Sequence, residues 1–182
     1  MVFIIDTKNI GTSRKVRRAS SYSLRDHTQL LWEATSPMKI MYRPATESDY
    51  EFCRRLHHQG MRPYVEPHWG WKDEFQNPRY QKLWQPENIE IIKLDNKDIG
   101  YIEVSKASET IKLVNIFIMQ DLRGQGIGSQ VVSNFIHQYI DSAPKLTLNV
   151  LWNNPAKNLY ERLGFKLVLR EDQILKYEIC KT

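Results

Sequence analysis

Three glycines within five residues, in Asp121-Leu122-Arg123-Gly124-Gln125-Gly126-Ile127-Gly128, constrain this chain more than any other stretch. Ahead of them, Ile111 to Met119 is apolar and too rich in β-branched residues to favour a helix. Behind them, Ile127, Val131, Val132, Phe135, Ile136, Tyr139 and Ile140 recur at helical spacing, as one continuous apolar stripe. The glycines therefore belong to a strand-to-helix turn. They lack the Cβ atoms that would hold a ligand away from the backbone, and they reach conformations other residues avoid. The first turn of the helix presents unpaired N–H groups and the positive end of a dipole. That is the chemistry of a phosphate cradle, with Arg123 adjacent to add a full charge. A glycine-rich connection without a ligand is the plain alternative. A Walker A loop is excluded, because no Gly-Lys-Ser/Thr follows. The glycine spacing is G-x-G-x-G, a poor match to the G-x-G-x-x-G of a dinucleotide fold.

The 182 residues suffice for one domain with a sizeable core, and 41% hydrophobic with 26% charged residues is a globular composition. No apolar run reaches the roughly 18 residues a membrane span needs, and Val2 to Ile5 is too short for a signal-peptide core. Cys53 and Cys180 are two lone thiols rather than a disulfide framework, so a reducing, cytoplasmic setting is expected. The net charge of +5 is unevenly spread. Residues 1–38 carry Lys8, Arg14, Lys15, Arg17, Arg18 and Arg25 against Asp6, Asp26 and Glu33, which leaves the body almost balanced. Nucleic acid is therefore not expected as a partner of the body. Residues 1–38 read as a basic, loosely structured extension, and 39–182 as the domain proper.

Along the body, Ile40-Met41-Tyr42 reads as a short strand. Thr46-x-x-Asp49 opens a helix that Gly60 and Pro63 should stop. An aromatic stretch follows, with room for a second helix within 70–84, whose Trp69, Trp71, Phe75 and Trp84 are expected mostly to anchor the two helices to a sheet. Ile89–Leu94 and Ile99–Val104 are strands joined by the turn-forming Asp95-Asn96-Lys97-Asp98; Thr110–Met119 and Lys145–Val150 are two more. Asn154-Pro155 supplies an N-cap and a first-turn proline for a helix that Gly164 ends. Phe165–Arg170 and Ile174–Ile179 close the chain as a hairpin. The order β-α-α-β-β-β-α-β-α-β-β predicts an α+β fold, a mixed but mostly antiparallel sheet flanked by helices.

Arg123-x-x-Gly126-x-Gly128 after an apolar strand resembles the acyl-CoA signature of the GNAT-type N-acetyltransferase superfamily. Asn153-x-x-Ala156-x-x-Leu159-Tyr160, followed by Gly164-Phe165, is similar to the second signature of that family. The likeness covers residues 39–180 and includes the element order. It implies acetyl-CoA as co-substrate. Arg123 and the amides of Gly124, Gln125, Gly126, Ile127, Gly128 and Ser129 would hold the CoA diphosphate. The backbone of Ile116, Phe117 and Ile118 would pair with the pantetheine arm like an added strand. Asn154 and Asn158 would lie near that arm, and Tyr160 near the thioester sulfur. Gln120 stands where many relatives have proline, which loosens the turn slightly.

The implied reaction is direct attack of a neutral amine on the thioester in a ternary complex. A backbone N–H near Phe117–Ile118 would steady the oxyanion, a contribution of ~3–4 kcal/mol in such sites. Tyr160 is the candidate general acid for the departing thiolate, against the plainer reading of a core aromatic. The base is less legible. The central strand carries no Asp or Glu in its core; Asn115 can orient a water or the amine, and Glu103 on the adjacent strand is the nearest carboxylate by topology. Glu66 and His68 are further options, each also readable as an exposed polar residue. For the acceptor, Tyr64, Glu66 and Trp69 offer flat rings and an acid to a cationic amine, in what the family resemblance makes the loop between the first two helices. His57-His58 lacks a second ligand at metal spacing, so no metal is expected. Expected partners are acetyl-CoA and an amine acceptor, without a membrane, in a monomer or homodimer. The alternative is a non-catalytic acyl-CoA-binding or sensing module.

Overall fold

The structure, a computed structural model, describes residues 39–181, so the expected basic extension (1–38) lies outside the described residues. The elements are β1 (Ile40–Pro44), α1 (Tyr50–Trp69), α2 (Asp73–Leu83), β2 (Ile89–Leu94), β3 (Lys97–Lys106), β4 (Thr110–Ile118), α3 (Ile127–Tyr139), β5 (Lys145–Leu151), α4 (Lys157–Arg162), β6 (Lys166–Glu171) and β7 (Ile174–Cys180). The strands form one seven-stranded sheet in the order β1-β2-β3-β4-β5-β7-β6. Only β4 and β5 run parallel, because α3 carries the chain back between them. The expected element order and α+β class hold.

Alternation along the strands supplies a separate core on each face of the sheet. Ile102, Val104, Leu113, Ile116 and Ile118 pack with the buried stripe of α3 and with Leu159 and Tyr160 of α4. Ile89, Ile91, Tyr101, Phe117 and Leu151 pack with Cys53 and Leu56 of α1 and Tyr80 of α2. One irregularity sets this partition. Glu103 pairs with Asn115 but Val104 pairs with Leu113, so Val114 is an extra residue in β4. The bulge lets Leu113 and Ile116, three apart, share one face, and turns Asn115 and Phe117 to the other.

Helix α1 corrects the expected stop at Gly60 and Pro63: it continues through both, and through Pro67, to Trp69. Gly60 is a contact rather than a terminator, since a Cβ there would overlap the Phe117 ring. Each interior proline forfeits a backbone hydrogen bond and costs about 3 kcal/mol. Packing of Met61, Tyr64 and Val65 against the α1-side core opposes that cost, and an Arg62–Glu66 ion pair at 2.8 Å spans the same turn. Gly70, at φ +73°, then ends the helix. The expected sheet-anchoring role also fails for Trp69 and Phe75, which are 56% and 75% exposed. Trp84 does pack on the core, edge-on to Tyr50, and its indole N–H donates to Glu47 at 3.0 Å. Asn154 makes the expected capping contact, on a tight turn that precedes the helix. Its Oδ1 accepts from the Ala156 amide at 2.9 Å, and α4 starts only at Lys157.

The entry to α1 is fixed by charge. Arg43 of β1 donates to Asp49 at 2.7 Å and to Asp98, near the start of β3, at 2.6 Å. The Asp49 carboxyl, with Arg43 beside it, is held at about 2, below its ordinary 3.8. A depressed carboxylate stabilises the fold above its unfolded pKa, and that contribution disappears as pH falls through the folded value. Asp49→Asn is therefore expected to cost about 2 kcal/mol near neutrality. In urea titrations run at several pH values, the gap between wild type and variant should close as pH falls from about 4 to about 2.

Candidate active site

The pairing of β4 with β5 runs only from Thr110–Lys145 to Leu113–Leu148. Beyond it each strand keeps its outer neighbour: β4 stays on β3 to Ile118, and β5 stays on β7 to Leu151. A wedge thus opens in mid-sheet, starting at the Val114 bulge. Backbone parity says what faces it. The Met119 amide donates to Ile99 at 2.8 Å, and the Phe117 carbonyl lies against Gly100, so alternate residues 117 and 119 point to β3. Ile116 and Ile118 turn their amide and carbonyl groups the other way, into the wedge. The Ile118 carbonyl is met there by the Arg123 side chain, whose Nε donates at 2.8 Å.

The glycine turn follows directly. Gly124 and Gly126 sit at φ +74° and +85°, and Gly126 is the left-handed residue that caps α3. The helix's first internal bond runs from the Gln130 amide to the Gly126 carbonyl at 3.0 Å, so the amides of Ile127, Gly128 and Ser129 have no partner within the helix. No acid stands in that turn, and Gly124, Gln125 and Gly126 are exposed. Gln125 folds back on the Asp121 carbonyl at 3.1 Å. Arg123 is half-buried and tied to β4, and burial lowers its pKa. Through this contact it braces the turn.

Tyr160 is wholly buried in the α3-side core, its ring centroid 6.1 Å from that of Phe165. Its hydroxyl has no hydrogen-bond partner among the described residues, and neither do Asn154 Nδ2 and Asn153 Oδ1. Burial drives the phenol pKa well upward, which keeps Tyr160 protonated. Buried polar atoms are normally paired, and these three lie on one short segment. Asn158 is exposed on α4.

On the other face, a cavity of about 860 Å³ lies between α1, α2 and strands β2 to β4. It holds Glu103 and Asn115 together: Asn115 Nδ2 donates to Glu103 Oε2 at 2.5 Å, and desolvation raises the Glu103 pKa. His57 also lines it, pushed down to about 3 by burial and so uncharged near neutrality. Trp69 lines the cavity, but Tyr64 and Glu66 do not. The segment Arg62 to Glu66 is helix rather than loop, which sends these two side chains elsewhere. Glu66 is held by Arg62 on the exposed face, and Tyr64 lies within electrostatic reach of Arg123. His68 meets Asn153 at 3.2 Å. Sequence reasoning missed Phe75, Arg79 and Leu83, three lining residues of α2 whose i, i+4 spacing is the signal that places them on one face. Cys53 is buried, its thiol pushed up to about 12. Among the described residues, no group of three or more His, Cys, Asp or Glu is placed to hold a metal. No helix among them is long and apolar enough to cross a membrane.

Residues 85–167 match the family described as the acetyltransferase (GNAT) domain, and both sequence signatures lie within that span. Over that segment the chain is similar to GNAT acetyltransferase domains. Among solved structures of the same fold, PaiA N-acetyltransferase from Thermoplasma acidophilum, in complex with coenzyme A, is 14% identical with a TM-score of 0.63. The match covers 79% of this chain and 99% of that one. An acetyltransferase from Thermus thermophilus is 20% identical at TM-score 0.62, covering 79% and 97%. A domain from Methanocaldococcus jannaschii is 22% identical at TM-score 0.61, covering 79% and 99%.

Proposed function

We propose that the protein is a cytoplasmic N-acetyltransferase whose domain spans residues 39–182, moving an acetyl group from acetyl-CoA to a primary amine. The observation that carries this reading is the wedge between β4 and β5, with the Ile116–Ile118 edge on one side and free α3 amides at its end. The residues present fit an acyl-CoA. Amides of residues 124–129 suit a diphosphate, a strand edge suits an amide-bearing arm, and buried orphan atoms on Asn154 and Tyr160 suit a partner that the polypeptide itself does not supply. The free thiols Cys53 and Cys180 agree with a reducing compartment.

Bound in this way, acetyl-CoA supplies the thioester and a thiolate leaving group. Glu103, kept basic by its dry surroundings and aimed by Asn115, takes the proton of the attacking amine, directly or through a water. The Ile118 backbone N–H, on the side of β4 that faces the wedge, steadies the oxyanion. Tyr160 gives its proton to the departing sulfur. Transfer is direct, because the buried Cys53 thiol sits far above the range of a reactive nucleophile.

Calorimetry with CoA, paired with thiol-release assays over a panel of amines, tests this. CoA should bind, and Gly126→Val, which forces a β-branched residue to φ +85°, should weaken it by roughly tenfold or more. Binding without thiol release for any amine would instead make the protein a sensing module. Absence of binding would overturn both.

A further inference from the structure

The cavity beside Glu103 has a chemical character that narrows the acceptor, provided the acetyltransferase reading holds. Its mouth is apolar and aromatic: Trp69, Phe75 and Leu83 are 56%, 75% and 63% exposed there. Large apolar side chains left in water around a concave site usually mark where a ligand sits. The charges run against a cationic guest. Lys72 and Arg79 line the cavity, and neither side chain makes an ion pair or hydrogen bond among the described residues. Among the described residues the one acidic lining residue, Glu103, is already engaged by Asn115, and His57 is uncharged near neutrality. Asp73 and Glu74 of α2 and Glu66 of α1 do not line it. A polyamine would meet two unpaired cations here and no ring of carboxylates. An exposed guanidinium without a side-chain partner at the mouth of a pocket is instead a ready fork for an anion.

We propose that the acceptor is a small aromatic amine that also carries a carboxylate. Its ring lies against Trp69 and Phe75, its carboxylate sits on Arg79, with Lys72 reinforcing the positive field, and its amine turns inward to Glu103. The volume of about 860 Å³ leaves room for such a molecule with its hydrating waters. In the transfer, the amine nitrogen bonds to the acetyl carbon and the C–S bond breaks with its electron pair on sulfur. The proton lost by the amine goes to Glu103, and the sulfur is protonated by Tyr160; nothing is oxidised or reduced.

Tryptophan, tryptamine and spermidine probe the three features separately, with thiol release read as kcat/KM. Tryptophan should exceed tryptamine by roughly tenfold or more, the worth of a charge-assisted hydrogen bond, and spermidine should be the poorest. Arg79→Ala should bring the tryptophan-to-tryptamine ratio close to one, and Arg79→Lys should restore part of it. Tryptamine or spermidine matching tryptophan would overturn the assignment, as would an unchanged ratio in Arg79→Ala. Thiol release with other amines but none of these would also overturn it, while leaving the acetyltransferase reading intact. Silence with every amine would bring down both.

Discussion

Tyr160→Phe should lower kcat by roughly 10²–10⁴, the usual worth of a positioned general acid, while leaving the protein at least as stable as before. The two halves of that expectation come from the same fact. The Tyr160 hydroxyl is wholly buried and makes no hydrogen bond among the described residues. Deleting a paired hydroxyl strands its partner; deleting an orphan strands nothing, and removes a desolvation cost of about 1–3 kcal/mol. The melting temperature should therefore hold or rise, and calorimetry should show acetyl-CoA affinity within a few-fold of wild type. A phenol that merely fills the core predicts something else: full activity in the phenylalanine variant. Measuring kcat and melting temperature on the same preparation separates the two roles.

The second large effect is expected at Glu103. Glu103→Gln keeps the shape and the contact with Asn115 but removes the base, and kcat should fall by about 10²–10⁴. The pH dependence gives the sign. Burial raises the Glu103 pKa above the usual carboxylate range, so the folded state favours its protonated form. The wild-type kcat should decline as pH drops through that raised value, and the variant should lose this limb of the profile. Stability runs the opposite way from activity. A carboxyl with a raised folded-state pKa stabilises the fold fully only below its unfolded pKa, and that contribution is lost as pH rises. Glu103→Gln should thus be at least as stable as wild type at pH 7, with the difference vanishing near pH 4 and below. A variant with an intact acid limb would assign the base elsewhere.

The parts of the molecule legible in the sequence are those governed by local rules. The turn at Gly124 and Gly126 needs left-handed backbone, and glycine announces that directly. The stripe of α3 follows from helical period alone. What escaped depends on contacts between segments distant in sequence. The proline rule would end α1 at Pro63, yet the helix persists because Gly60 meets Phe117, 57 positions away, and the residues beyond pack on the same core. Hydrophobicity places Trp69 and Phe75 inside; the concave face of α1 and α2 leaves them out. Glu103 and Asn115 were each visible, but their partnership is a matter of strand register, and register depends on the Val114 bulge. Tyr64 and Glu66 were expected at the acceptor from a loop at 62–66, and that segment is helix, held by contacts the local sequence does not show.

The bulge at Val114 has an outcome for how such a protein can change. By seating Asn115 and Phe117 on one side of β4 and Ile116 and Ile118 on the other, it makes a single strand a partition wall with a different tenant on each side. On the proposed reading, the wedge side relies largely on main-chain atoms and glycines, which most substitutions leave untouched. The cavity side is lined largely by side chains of two helices. Rewriting those helices would then change the acceptor while the acyl donor stays the same.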